Sequence, residues 1–259
     1  MFGGPDATAY LLALRFDLLP PPQRAAASRY LVDRISNRQW HLSTGFLGVN
    51  LLLPTLTDIG RSDVAYRLIE NRTYPSWGYS IVNGATTCWE RWNSYMAGGA
   101  GGAVAKFGDV GMNSFNHYAY GSAGQWMYGT LAGIDTDGPG FKKIRIRPEP
   151  GGALTFAKAA YQSIQGRIES AWRIEDGWLT MDLTIPANTT ATVYVPTQEA
   201  DRVTEGGQAA TQAQGVKFLR QDGNTAVYEV VSGSYAFRAP WDSARKTGNS
   251  TGIATKGSS

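Results

Sequence analysis

The sequence predicts a multi-domain chain, α first and β afterwards, that ends in an antiparallel β-sandwich. Three observations carry this. Apolar residues recur at helical spacing as far as residue 131. Beyond Gly138-Pro139-Gly140 the period drops to two. Asp176-Gly177 then separates two alternating runs, a strong short-range signal for a hairpin. Helices followed by strands, with no interleaving, argue for two packed domains at 1–137 and 138–242. The polar, small-residue tail at 243–259 reads as disordered.

Asp6 stands where it can cap a helix over residues 7–16, which Leu19-Pro20-Pro21-Pro22 would end. Residues 23–36 carry Ala26, Tyr30, Leu31 and Ile35 at helical spacing. Residues 46–59 are apolar nearly all round, the mark of a helix buried on several sides, and Pro54 would kink or divide it. Ser62–Glu70 is amphipathic, with Val64, Ala65, Leu68 and Ile69 inward. Residues 118–131 are small and aromatic and suit a tightly packed helix. Short turns between such helices suggest repeated helical hairpins. Several of these helices are apolar on more than one side and do not close into an obvious unit by themselves.

In the second region, Lys143-Ile144-Arg145-Ile146-Arg147 is a clear strand with Ile144 and Ile146 on one face. Strands follow at 166–174, Trp178–Ile185, 190–195, 216–219, 226–231 and 234–238, for about eight in all, the count of a sandwich.

Composition narrows the function. The chain has 259 residues, 42% hydrophobic and 17% charged, as in an ordinary soluble globular protein. Its net charge of +3 arises from 24 basic and 21 acidic residues in mixed order, too weak and dispersed for a nucleic-acid or membrane-surface partner. Eight tryptophans and 31 glycines fit a carbohydrate-active protein. Cys88 is the single cysteine, so no internal disulfide forms. With two histidines beside it, a His/Cys zinc site is not expected, nor is a cofactor. No window reaches the roughly 18 apolar residues of a membrane span. Met1-Phe2-Gly3-Gly4-Pro5 lacks the pattern of a signal peptide.

The chemistry concentrates in Gly84-Ala85-Thr86-Thr87-Cys88-Trp89-Glu90-Arg91-Trp92, where one carboxylate sits between two tryptophans. Pro75-Ser76-Trp77-Gly78-Tyr79 precedes it. Aromatic faces pack on the apolar side of a pyranose, and an acid or base then works on the linkage. Glu90 is either that base or nucleophile, or the partner of Arg91 or another arginine in a structural loop. His117, in Ser114-Phe115-Asn116-His117-Tyr118, either donates to a sugar hydroxyl or packs beside a helix that Asn116 caps. Trp77, Tyr79, Trp89 and Trp92 either line a cleft or fill the core. Trp126 reads as core, and Cys88, with no base beside it, as a small buried apolar residue. Ala97-Gly98-Gly99-Ala100-Gly101-Gly102-Ala103 lacks the Gly-Lys-Ser/Thr ending of a phosphate loop and reads as a mobile loop beside the cleft.

On these residues the chain resembles bacterial α-L-rhamnosidases, inverting glycoside hydrolases built on an (α/α)6 barrel. The shared run includes Ser43-Thr44-Gly45-Phe46-Leu47-Gly48, Tyr74-Pro75-Ser76-Trp77-Gly78-Tyr79 and residues 84–92. It continues through Ser114-Phe115-Asn116-His117-Tyr118-Ala119-Tyr120-Gly121-Ser122, Pro139-Gly140-Phe141-Lys142 and Gly166-Arg167-Ile168-Glu169-Ser170. The resemblance covers residues 1–200 or so and implies the second half of an (α/α)6 barrel followed by a C-terminal β-sandwich. It implies that Glu90 is the general base, that His117 contacts the sugar, and that Trp77 and Trp89 line the cleft. The implied substrate is a glycoside or oligosaccharide bearing terminal α-L-rhamnose.

One departure bears on activity. The family's general acid lies in an earlier acidic motif, and the only glutamate before Glu90 is Glu70, in a helix without that setting. Inversion needs two carboxyls about 6.5–9.5 Å apart with water between them. The resemblance therefore implies either a catalytic C-terminal part, completed by an N-terminal half of the barrel or by self-association, or a non-catalytic carbohydrate-binding remnant.

Overall fold

The computed structural model describes residues 7–96, 106–107 and 113–242. The Asp6 cap, the glycine-rich loop and the tail beyond 242 lie outside the described residues. The chain divides between Gly124 and Gln125 into two compact units.

The first unit is helical. It holds α1 (Ala7–Arg15), α2 (Pro21–Asn37), α3 (Phe46–Asp58), α4 (Ser62–Glu70) and α5 (Trp77–Val82). Leu11, Leu31, Leu53, Leu56, Val64 and Leu68 are buried where these helices meet, and a fully buried side chain of this size contributes about 1.5–3 kcal/mol. Tyr10 and Tyr30 stack at 4.5 Å between ring centroids and tie α1 to α2. The prolines do more than end α1, because Pro20 and Pro21 also open α2, where a missing N–H costs nothing.

α3 runs through Pro54 undivided. The proline removes the donor that would reach the Asn50 carbonyl, but Asn50 is exposed, so water can take that role. The helix expected at 118–131 is not regular. It is a 3-10 turn at Ala119–Ser122, a single α turn, α6 (Ala123–Trp126), and a π turn at Met127–Leu131. Gly121, Gly124 and Gly129 weaken the α preference along this stretch. The two-residue strands β1 (Tyr95–Met96) and β2 (Lys106–Phe107) pair antiparallel.

The second unit is two stacked sheets. Its strands are β3 (Ile134–Thr136), β4 (Lys143–Ile146), β5 (Phe156–Ser163), β6 (Gly166–Glu175), β7 (Trp178–Ile185) and β8 (Thr190–Pro196). β9 (Thr204–Glu205), β10 (Gln208–Ala209), β11 (Val216–Asp222), β12 (Thr225–Val230) and β13 (Gly233–Pro240) complete it. One sheet has the order β10-β9-β13-β7-β6-β5 and the other β11-β12-β8-β4-β3. Every pairing is antiparallel except β4 with β8. Alternating positions bury Ile144, Ile146, Ile168, Trp172, Leu183, Val193, Tyr228 and Phe237 between the sheets. The Trp172 indole donates to the Leu131 carbonyl at 2.7 Å, so the largest core ring is also satisfied as a donor. Asp176 and Gly177 both have positive φ, 49° and 75°, as a two-residue turn of the I′ type requires.

Candidate functional site

The site of interest lies in the first unit, where two segments far apart in sequence run side by side. The Glu90 amide donates to the Ser114 carbonyl at 2.9 Å, and the His117 amide donates to the Cys88 carbonyl at 2.8 Å. The Thr87 hydroxyl donates to the Phe115 carbonyl. The Ser94 hydroxyl donates to Asn113 Oδ1 at 2.8 Å and also accepts from the Arg91 amide at 3.1 Å. Residues 87–94 and 113–117 are thus laced together by backbone and short side chains.

Glu90 is held within this lacing. Its Oε2 accepts from the Ser114 amide at 2.6 Å, a short charge-assisted bond. The carboxylate is therefore anchored by a peptide N–H, an alternative to the arginine partner considered from sequence. One carboxylate oxygen is thereby fixed in place.

The tryptophans divide into distinct roles. Trp89 is only 7% exposed. Its ring meets Phe115 edge-on at 5.6 Å and Tyr95 at 6.1 Å. Enclosed by these two rings, Trp89 shows little open face in this chain. Trp92 and Tyr120 stack nearly parallel, 3.7 Å and 7° apart. Trp77 meets Trp92 edge-on at 5.4 Å. The Trp77 indole donates to the Tyr120 carbonyl and the Trp92 indole to the Thr44 carbonyl, both at 2.8 Å. Both indole N–H groups are spent inside the protein, and Trp77 is half-buried.

α5 sets Trp77 in place. Ser76 is its N-cap and accepts from the Tyr79 amide at 3.0 Å. Gly78 lets the helix lie against the preceding chain, since a Cβ there would sit 2.3 Å from the Asn71 carbonyl oxygen. The Tyr79 hydroxyl reaches the Tyr95 carbonyl at 3.3 Å.

His117 is half-buried, stacked on Tyr118 at 5.2 Å and tilted against Phe46 at 6.0 Å. Its Nδ1 accepts from the Ala119 amide at 3.2 Å, so the neutral ring carries its proton on Nε2 and presents a donor there. The histidine caps this turn itself, in place of Asn116. Cys88 is exposed, contrary to the buried role expected from sequence; its carbonyl accepts from the His117 amide, and its sulfur lies against Gly121, 3.3 Å from where a Cβ there would sit. Among the described residues no cluster of His, Cys, Asp and Glu could hold a metal ion.

Two residues of this site carry no sequence signal of their own. Ser114 acts through its backbone amide, which every non-proline residue has. Tyr120 is one aromatic among many in the chain, yet it is buried and its phenol is pushed up to about 12, first by burial, then by the charge of Glu90, then by Tyr74.

Comparison with known proteins extends this geometry. Residues 3–131 match the bacterial α-L-rhamnosidase 6 hairpin glycosidase domain, and residues 133–210 match the C-terminal domain of the same enzymes. The chain belongs to the bacterial α-L-rhamnosidase family. An α-L-rhamnosidase of Streptomyces avermitilis is 45% identical over 234 residues, which is 90% of this chain and 21% of that protein. One from Formosa agariphila is 39% identical over 234 residues, 90% of this chain and 25% of that protein. The solved structure of the Streptomyces avermitilis α-L-rhamnosidase complexed with L-rhamnose superposes with a TM-score of 0.81 at 43% identity, over 92% of this chain and 22% of that one. The chain thus spans about a fifth to a quarter of the length of these rhamnosidases. Its helices-then-sheets order is the six-hairpin domain followed by the C-terminal β domain of the family.

Proposed function

We propose that this chain supplies the water-activating side of an α-L-rhamnosidase that releases terminal α-L-rhamnose with inversion, with Glu90 as the general base. The observation that carries this reading is the Ser114 amide on Glu90 Oε2 at 2.6 Å. It leaves one carboxylate oxygen fixed and the other able to take a proton from water, as an inverting base must. Trp77 contributes its half-buried ring, and His117 Nε2–H is a donor suited to a sugar hydroxyl. Trp89 supports the loop from behind.

The general acid would come from protein outside this chain. Three of the aspartates in the helical unit are already in ion pairs: Asp17 with Arg24, Asp58 with Arg15 and Asp63 with Arg61. Taken by itself, the chain fits the second reading, a carbohydrate-binding piece that does not cut.

A chimera tests the catalytic reading: this chain in place of the matching stretch of the Streptomyces avermitilis relative. It should hydrolyse an aryl α-L-rhamnoside, and NMR of the first product should show β-L-rhamnose. Product of unchanged anomeric configuration, or an inactive but folded chimera, would overturn the reading.

Exposed apolar side chains suit a further protein partner. Leu47 is 74% exposed, Ile81 68% and Tyr118 88%. By itself the chain should associate in light scattering, while the chimera should remain at its single-chain mass. A monodisperse monomer of the chain alone would refute this.

A further inference from the structure

We propose that Tyr120 is a sugar-binding residue, its hydroxyl hydrogen-bonding one hydroxyl of the rhamnosyl ring held at Glu90. This rests on the rhamnosidase reading of the site. The carbon skeleton of Tyr120 is clamped from two directions. Its ring is stacked on Trp92 at 3.7 Å, and its carbonyl is held by the Trp77 indole at 2.8 Å. Trp92 is pinned in turn through its own indole to Thr44. The ring thus has no freedom to turn, and its single polar tip has a set position.

The residue is 6% exposed, and its hydroxyl is not one of the buried side-chain atoms left without a partner, so the small open part of the residue includes its polar tip. Among the described residues the Tyr120 hydroxyl has no hydrogen-bond partner, while Tyr79, Tyr228 and Tyr235 each reach a backbone carbonyl. The stack on Trp92, two residues from Glu90, puts the ring beside the loop that carries the carboxylate, and the charge of Glu90 adds to the rise of the phenol. Because burial and that charge hold the phenol at about 12, it stays protonated and can both donate and accept throughout the working range. A rigid, neutral donor-acceptor left unpaired beside a base is complementary to a polyhydroxylated ring.

The test uses the chimera described above, in a Glu90→Gln background so that binding is read without turnover. Calorimetry with L-rhamnose should show Tyr120→Phe weakening binding several-fold, up to about tenfold, the range of one neutral hydrogen bond. The loss should be the same at every pH from about 5 to 9, because the phenol does not ionise there. Among the 2-, 3- and 4-deoxy analogues of L-rhamnose, one should bind equally well with Tyr120 present and with Tyr120→Phe introduced, closing a double-mutant cycle on one hydroxyl. Tyr120→Phe keeps the stack on Trp92, so an unchanged near-ultraviolet dichroism spectrum establishes that packing is intact. Equal affinity for rhamnose before and after the substitution would overturn the assignment of Tyr120, as would an equal loss with every analogue. Absence of rhamnose binding with Tyr120 present would overturn the rhamnosidase reading itself.

Discussion

Replacing Glu90 by Gln in the chimera should lower kcat for an aryl α-L-rhamnoside by about 10²–10⁴, the usual contribution of a general base. The substitution keeps the size of the side chain and an acceptor for the Ser114 amide, so Oε1 of the glutamine can replace Oε2 and the loop should stay in place. What it removes is the group proposed to take the proton from water. On the proposed reading the loss should therefore fall on kcat, with KM changed little, because the groups proposed to meet the sugar, Trp77, His117 and Tyr120, are unchanged. Turnover within a few-fold of the parent would refute the assignment of Glu90. A tenfold rise in KM with kcat preserved would move Glu90 from catalysis to binding.

Gly133→Ala should destabilise the second unit by about 4 kcal/mol or more, an exceptional value for a single methyl group. Gly133 has φ +80°, which alone costs a residue with a Cβ on the order of 1–3 kcal/mol. The larger effect is steric. An added Cβ would lie 2.2 Å from the Pro148 nitrogen and 2.4 Å from the Arg147 carbonyl carbon, both backbone atoms that cannot swing aside. The same glycine carbonyl accepts from the Arg147 amide at 2.8 Å, so moving the strand apart also breaks a ladder bond. Thermal denaturation followed by circular dichroism should show a midpoint lower by about 10 °C or more, or no cooperative β transition. A shift of only a degree or two would mean that the β3–β4 corner relaxes freely.

The sandwich is legible in sequence where side chains alternate strongly. Ile144 and Ile146 announce β4, and Asp176-Gly177 announces the turn between β6 and β7. β5 is not legible, because Phe-Ala-Lys-Ala-Ala-Tyr-Gln-Ser has little β-branched content and its alternation is blurred by three alanines. Nor is the parallel pairing of β4 with β8, which depends on strands nearly fifty residues apart and on no local signal. In the helical unit, α5 is short and contains a glycine, so its six residues read as an aromatic loop until Ser76 is seen to cap them. At the site, Glu90 stands out as a lone carboxylate among aromatic rings. Its anchor does not, since a backbone amide is identical in every sequence. Trp89 and Trp77 look alike in composition. Only packing distinguishes the one that is enclosed by Phe115 and Tyr95 from the one that is half-buried.

The lacing of residues 87–94 to residues 113–117 also bears on how this enzyme family can vary. The Ser94 hydroxyl and the Asn113 side chain are bonded to each other, and β1 pairs with β2 between them in sequence. The ends of the intervening stretch are therefore fixed independently of its length. For a loop whose ends are already joined, doubling the number of residues costs only about 0.6 kcal/mol in closure entropy. Insertions and deletions between the paired strands, after Met96 and before Lys106, can thus accumulate at little cost in closure entropy while the carboxylate and the amide that holds it keep their spacing. This is a place in the chain where new sequence can be sampled without disturbing the geometry of Glu90 and Ser114.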